Sequence, residues 1–186
     1  MNLPTHHRYI VERAQVDITL RLLKLRARTQ TIRYCTGLSN DRIRRIYCDY
    51  GTIVNVTKRA NKRGKSSVCT RIFTDTDLHR LESTSLAMIF VHAGLFKINQ
   101  HALTAVCMIN KLDFGHRLCC AYETYRELYA NPKLSIEHAR LMFNDIAENN
   151  TLALGHCSQC QTFHLYNLLM AEPINTCAVC LLLGRD

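Results

Sequence analysis

The 186-residue sequence has no tryptophan and no long apolar run. Its longest uninterrupted one without cysteine, LAMIFV from Leu86 to Val91, falls far short of the roughly 18 residues a membrane span requires. The opening MNLPTHHRYIVERAQ carries charges where a secretory signal needs an apolar segment. A cytoplasmic location is therefore expected, where thiols stay reduced and paired cysteines more often hold metal than form disulfides. No internal repeat is visible at a solenoid period. No carboxylate pair or nucleophile–base constellation stands out, which argues against an enzyme. The aromatic-rich sheet motif that stacks single-stranded bases is also missing.

What remains is 47% apolar and 21% charged, the balance of an ordinary globular chain. The net charge of +9 is unevenly spread. Residues 1–71 hold 16 Lys and Arg against 4 Asp and Glu, and the rest hold 8 against 11. Such asymmetry points to a polyanion-binding front half and a back half with another task.

The dominant periodicity is helical. Val11, Ile18, Leu22, Leu25 and Ile32 recur at spacings of three, four and seven, predicting one face of a long amphipathic helix. Thr36-Gly37-Leu38 makes a turn, and Ser39 is positioned to cap a second helix with Asp41 in its first turn. The segment KRANKRGKSS reads as an exposed loop or arm. Helical patterns resume over 78–93, 101–111, 117–130 and 135–148, with Gly94, Gly115 and Pro132 in or near the breaks. Strand signals are weak except near the terminal cysteines. The expected fold is mainly α: residues 1–150 as a helical domain, with a helix-turn-helix-like segment over 27–50 and a basic arm over 58–71, and a small cysteine module over 151–186.

The cysteine module carries the most specific signal. Cys157-x2-Cys160 and Cys177-x2-Cys180 are separated by 16 residues, inside the window for two knuckles closing on one tetrahedral zinc ion. Four thiolates leave no open coordination position, so the site would be structural. A thioredoxin-like reading needs one such pair opening a helix after a strand. His156 and His164 are expected at the surface or as partners of the ligands. Cys107 and Cys119 are expected as small core residues, and the adjacent Cys119 and Cys120 have poor geometry for chelation from a helix. His92, His101, His116 and His138 are expected to be packed or exposed rather than ligating.

In the front half, Ile43, Ile46, Tyr47 and Tyr50 share one helical face, and Arg44 and Arg45 fall opposite with Arg42 and Asn40 at the flanks. A capped helix with an outward basic face is what major-groove recognition requires. Arg28, Ser39 and Asn40 join Arg42, Arg44 and Arg45 as candidate contacts to double-stranded DNA. Lys58, Arg59, Lys62, Arg63, Lys65 and Arg71 are candidates for neutralising phosphates.

Several of these residues carry a resemblance. Ala27-Arg28-x-Gln30, Thr36-x-Leu38-Ser39, Arg42-Ile43-x-Arg45-Ile46-Tyr47, the FTD of Phe73 to Asp75 and the terminal double CxxC resemble, in this order, the FlhC family. That family supplies the zinc-bearing subunit of the bacterial flagellar master activator. The resemblance implies a DNA-binding transcriptional activator subunit that assembles with an FlhD-like partner, binds upstream of promoters and recruits RNA polymerase. It also implies zinc on Cys157, Cys160, Cys177 and Cys180, and a bacterial cytoplasm. The lack of tryptophan and the charged arm depart from the flagellar pattern and point equally to relatives that activate conjugative transfer. The alternative from another class is an RNA-binding or ribosome-associated structural zinc protein. The apolarity of 78–108, with Ile89 and Val91 in it, is expected to meet the partner subunit or to form a buried central helix.

Overall fold

A computed structural model of the chain describes residues 3–50, 69–99, 102–107, 109–169 and 176–184. These form seven helices and two antiparallel strand pairs: α1 (Leu3–Lys24), α2 (Thr29–Thr36), α3 (Asn40–Tyr50), α4 (Asp77–His92), β1 (Phe96–Asn99), β2 (Ala102–Ala105), α5 (Lys111–Leu128), α6 (Ile136–Ala147), β3 (Leu152–His156), β4 (Phe163–Asn167) and α7 (Ala178–Leu182). A 3₁₀ turn, Thr70–Phe73, precedes α4. None of the described helices is long and apolar enough to cross a membrane. The chain divides into two compact units. One holds the described residues of Met1–Lys65 and Met108–Cys119, the other those of Ser66–Cys107 and Cys120–Asp186.

In the first unit α1, α2 and α3 pack on one another. The expected long first helix is instead two. Arg26 adopts a left-handed φ of 60°, and the Arg26 and Ala27 N–H groups turn back to the carbonyls of Leu23 and Leu22. This is the Schellman closure of a helix, made here by a residue other than glycine. The stripe survives the break: Ile18, Leu22, Leu25 and Ile32 are all buried, each fully buried Leu or Ile contributing about 1.5–3 kcal/mol. Gly37, at φ 71°, ends α2 by donating to the Arg33 carbonyl. Two residues later the Ser39 hydroxyl accepts the Arg42 N–H at 3.3 Å and starts α3, which buries Ile43 and Ile46.

The expected break at Gly115 is not there, because α5 begins at Lys111 and runs through it. Gly115 serves close approach instead. A Cβ at this position would lie 2.9 Å from Cys35 Cβ and 3.1 Å from Ile18 Cγ2. Gly115→Leu is therefore expected to lose about 1–3 kcal/mol through overpacking, despite the better helix propensity of leucine. A urea midpoint equal to or above that of the parent protein would contradict this.

In the second unit α4 is central. Thr76 caps its start by accepting the His79 N–H, and Gly94, at φ 72°, closes its end. Leu86, Ala87 and Phe90 are fully buried. Phe90 meets Phe96 of β1 and Phe143 of α6, with ring centroids 6.2 and 6.4 Å away. Where a helix is expected over 101–111, residues 102–105 form strand β2, paired with β1 so that Leu103 faces Ile98. That pairing brings Phe96 within 5.0 Å of the Phe143 ring, a contact with no counterpart in local periodicity. Cys107, just beyond β2, is exposed rather than part of the core; Cys119 is buried as expected.

Two buried carboxylates tie this unit together. Glu82 of α4 accepts the Tyr125 hydroxyl and the Lys133 N–H (2.9 Å), while the Tyr125 oxygen accepts the Leu134 N–H at 3.1 Å. Burial first, and then the Glu82 carboxylate, push the Tyr125 hydroxyl's pKa far up. Asp145 of α6 accepts the N–H groups of Thr151 (3.1 Å) and Leu152 (2.7 Å), fixing where β3 begins. β4 and α7 then pack on α4, and β3 on α6. β3, β4 and α7 thus belong to one compact unit with α4 and α6.

Candidate metal centre and basic helix face

The first cysteine pair sits at the turn joining β3 to β4. The strands pair with His156 opposite Phe163, so the chain must reverse over six residues. Cys157 closes that reversal: its N–H donates to the Thr162 carbonyl and its own carbonyl accepts the Gln161 N–H, both at 2.9 Å. Gln161 takes the left-handed φ of 60° that the reversal demands, a conformation costing a non-glycine residue roughly 1–2 kcal/mol. His156 braces this turn, its Nδ1 donating to the Gln161 carbonyl at 3.0 Å and its ring 4.3 Å from that of Phe163. His164 is buried rather than at the surface.

The second pair opens α7. Cys177 is its N-cap residue, and its sulfur accepts the Cys180 N–H at 3.4 Å. The Cys177 N–H in turn donates to Cys157 Sγ at 3.2 Å. All four sulfurs lie within 4.8 Å of one another, and Cys160 Sγ stands 3.6 Å from Cys177 Sγ. Sulfurs at 2.3 Å from one tetrahedral ion would be about 3.8 Å apart, whereas a disulfide needs about 2.05 Å. Cys157, Cys177 and Cys180 are buried and Cys160 is exposed. The four sulfurs lie close enough together to hold one metal ion.

The electrostatics agree. Burial alone would push the Cys157 thiol up, yet the N–H groups of Cys160, Cys177 and Gln159 bring it down to about 6. The Thr162 hydroxyl, 2.9 Å away, lowers Cys160, aided by the Thr162 N–H. Cys180 is pushed up to about 12, by burial and then by the neighbouring sulfurs. Four sulfurs sharing one space cannot all ionise without a cation among them, and a bound divalent ion inverts that logic.

The basic residues of the front half lie elsewhere. Asn40, Arg42, Arg44 and Arg45 are exposed on α3, and Ser39 is spent on the cap. Arg28 is half-buried at the N-cap position of α2. Lys58, Arg59, Lys62, Arg63 and Lys65 lie outside the described residues. Arg71 is exposed in the 3₁₀ turn, its Nε 3.6 Å from Asp75 Oδ1. No local pattern marks Lys111, whose exposed side chain passes beside the turn into α3: its Cδ is 3.9 Å from where a Gly37 Cβ would lie. Arg80 is a buried cation of α4, and its sequence signal is a lone Lys or Arg inside the apolar pattern of that helix. No protein-family model matches the chain, and no curated protein matches it either.

Proposed function

We propose that the chain is the zinc-bearing, DNA-binding subunit of a transcriptional activator. The observation that carries this reading is α3: Ser39 caps it, Ile43 and Ile46 anchor it, and Asn40, Arg42, Arg44 and Arg45 stand free of the core. The N-terminal part of such a helix can enter the major groove, where Arg pairs bidentately with guanine. Lys111 beside the Gly37 turn, and Arg28 with the cations of 58–65, would neutralise phosphates. Zinc suits the cage because four thiolates in tetrahedral array are its ordinary structural site. The resemblance of 27–47 and of the double CxxC to the FlhC family extends the reading to an FlhD-like partner, and to recruitment of RNA polymerase at flagellar or conjugative-transfer promoters. Ile89 and Val91, half-buried on α4, belong to the surface expected to meet that partner.

The test is a titration of the metal-loaded protein, co-expressed with its genomic neighbour, against a randomised duplex pool and against RNA. Preferential duplex binding is expected, with Arg44→Ala or Arg45→Ala relaxing sequence preference at about 1–3 kcal/mol per base read. Lys111→Gln should leave the preference intact and flatten the salt slope by about 0.9. Equal or tighter binding of RNA would favour the RNA-binding zinc protein instead.

A further inference from the structure

We propose that Arg80 is a positioning residue for the cysteine cage, acting on the Cys157 sulfur through the peptide group that joins Thr176 to Cys177. This rests on the metal reading of the cage. Arg80 is 4% exposed and is the one buried Lys or Arg among the described residues. Its Nη1 donates to Asp77 Oδ1 at 3.1 Å, one turn away on α4, and its Nη2 to the Thr176 carbonyl at 2.7 Å. That carbonyl and the Cys177 N–H are the two ends of one planar trans peptide, so they point in opposite directions. The N–H end donates to Cys157 Sγ at 3.2 Å. Arg80 thus grips one end of a dipole whose other end is aimed at a ligand sulfur.

Two effects follow. A charged donor on the carbonyl polarises the peptide and strengthens its N–H as a donor, by about 10–30% in such chains. The fixed peptide plane also sets where Cys177 leaves the backbone, and so where the second knuckle meets the first. A lysine would not do the same: the planar guanidinium holds a carboxylate and a carbonyl at once, whereas an ammonium is a mobile point charge. A divalent ion in four thiolates leaves two negative charges in a largely buried place. The buried Arg80 cation beside the second knuckle offsets part of that charge.

The test compares Co(II)-loaded full-length protein with Arg80→Met, Arg80→Lys and Asp77→Asn. A thiolate that loses hydrogen-bond support gives up electrons more readily, so Arg80→Met should move the sulfur-to-cobalt charge-transfer band to lower energy. The same variant should lose zinc 10–100-fold more easily to a competing chelator, the range for groups that support metal ligands. Arg80→Lys should fall between the two. Asp77→Asn, which keeps Arg80 and removes the carboxylate drawing on its charge, should move the band slightly the other way, and it reads the effect should Arg80→Met fail to fold. Parent protein that takes up no Co(II) would overturn the metal reading and this one with it. Normal uptake with an unmoved band and unchanged zinc retention in these variants would overturn this inference alone.

Discussion

Cys177→Ser protein is expected to carry no metal and to lose the ordered structure of β3, β4 and α7, whereas the parent protein should carry about one zinc per chain. Cys177 makes three separate contributions. Its sulfur lies 3.6 Å from Cys160 Sγ and accepts the Cys180 N–H, while its own N–H supports Cys157 Sγ. A serine hydroxyl stays protonated at neutral pH and cannot replace a thiolate ligand. Binding of a structural zinc is worth about 10–16 kcal/mol in peptides that fold on it, more than the whole net stability of many domains. Metal analysis together with limited proteolysis of residues 152–184 checks the prediction. A variant that keeps its metal, or a metal-free parent protein that stays folded with four free thiols, would refute it.

Glu82→Leu is expected to be the most damaging change remote from the cysteines, costing about 3–5 kcal/mol. The carboxylate is 2% exposed and serves the Tyr125 hydroxyl and the Lys133 N–H together. Leucine fills the volume but removes the acceptor of both donors: the buried Tyr125 hydroxyl is orphaned, at about 1–3 kcal/mol, and the part-buried Lys133 N–H loses a charged partner, which adds to that. The Tyr125 oxygen, which also receives the Leu134 N–H, would lose its anchor, loosening the entry to α6. Glu82→Gln keeps a carbonyl acceptor and should lose less than half as much. Urea denaturation of the three proteins orders them; a leucine variant as stable as the glutamine one would show that packing, not hydrogen bonding, holds this site.

What could be foreseen depended on how local the cause was. The cage was legible because each knuckle is a two-residue spacing and the two are 16 residues apart. The α2–turn–α3 segment was legible because Gly37 and Ser39 each act on their own neighbours. Arg26 was not, since nothing in an arginine marks a left-handed turn. β2 was read as helix because the pairing of Leu103 with Ile98, and the packing of Phe96 on Phe143, are settled by distant partners. Gly115 was read as a breaker when its missing side chain admits Ile18 and Cys35. Glu82 and Asp145 show the same limit: a charge inside a helical pattern reads as solvated until the donors from elsewhere in the chain are seen. The Arg and Lys residues of the front half are plain in the sequence, and it is their chemistry that proposes them as DNA contacts.

The first unit is interrupted in sequence. Its helices α1 to α3 come before the second unit begins, and the start of α5, with Lys111, Phe114 and Gly115, comes after β2. Phe114 meets the Tyr34 ring edge-on at 5.3 Å, and Gly115 fills the notch between α1 and α2. No one cut of the gene frees this unit whole. A fragment ending before residue 108 would expose the seat of Phe114 and drop Lys111 from beside the turn. Recombination that swaps the basic helices between related genes must therefore carry two separated stretches together. Exchange of α1 to α3 alone would be tolerated only where the incoming sequence preserves the hollow that Gly115 enters.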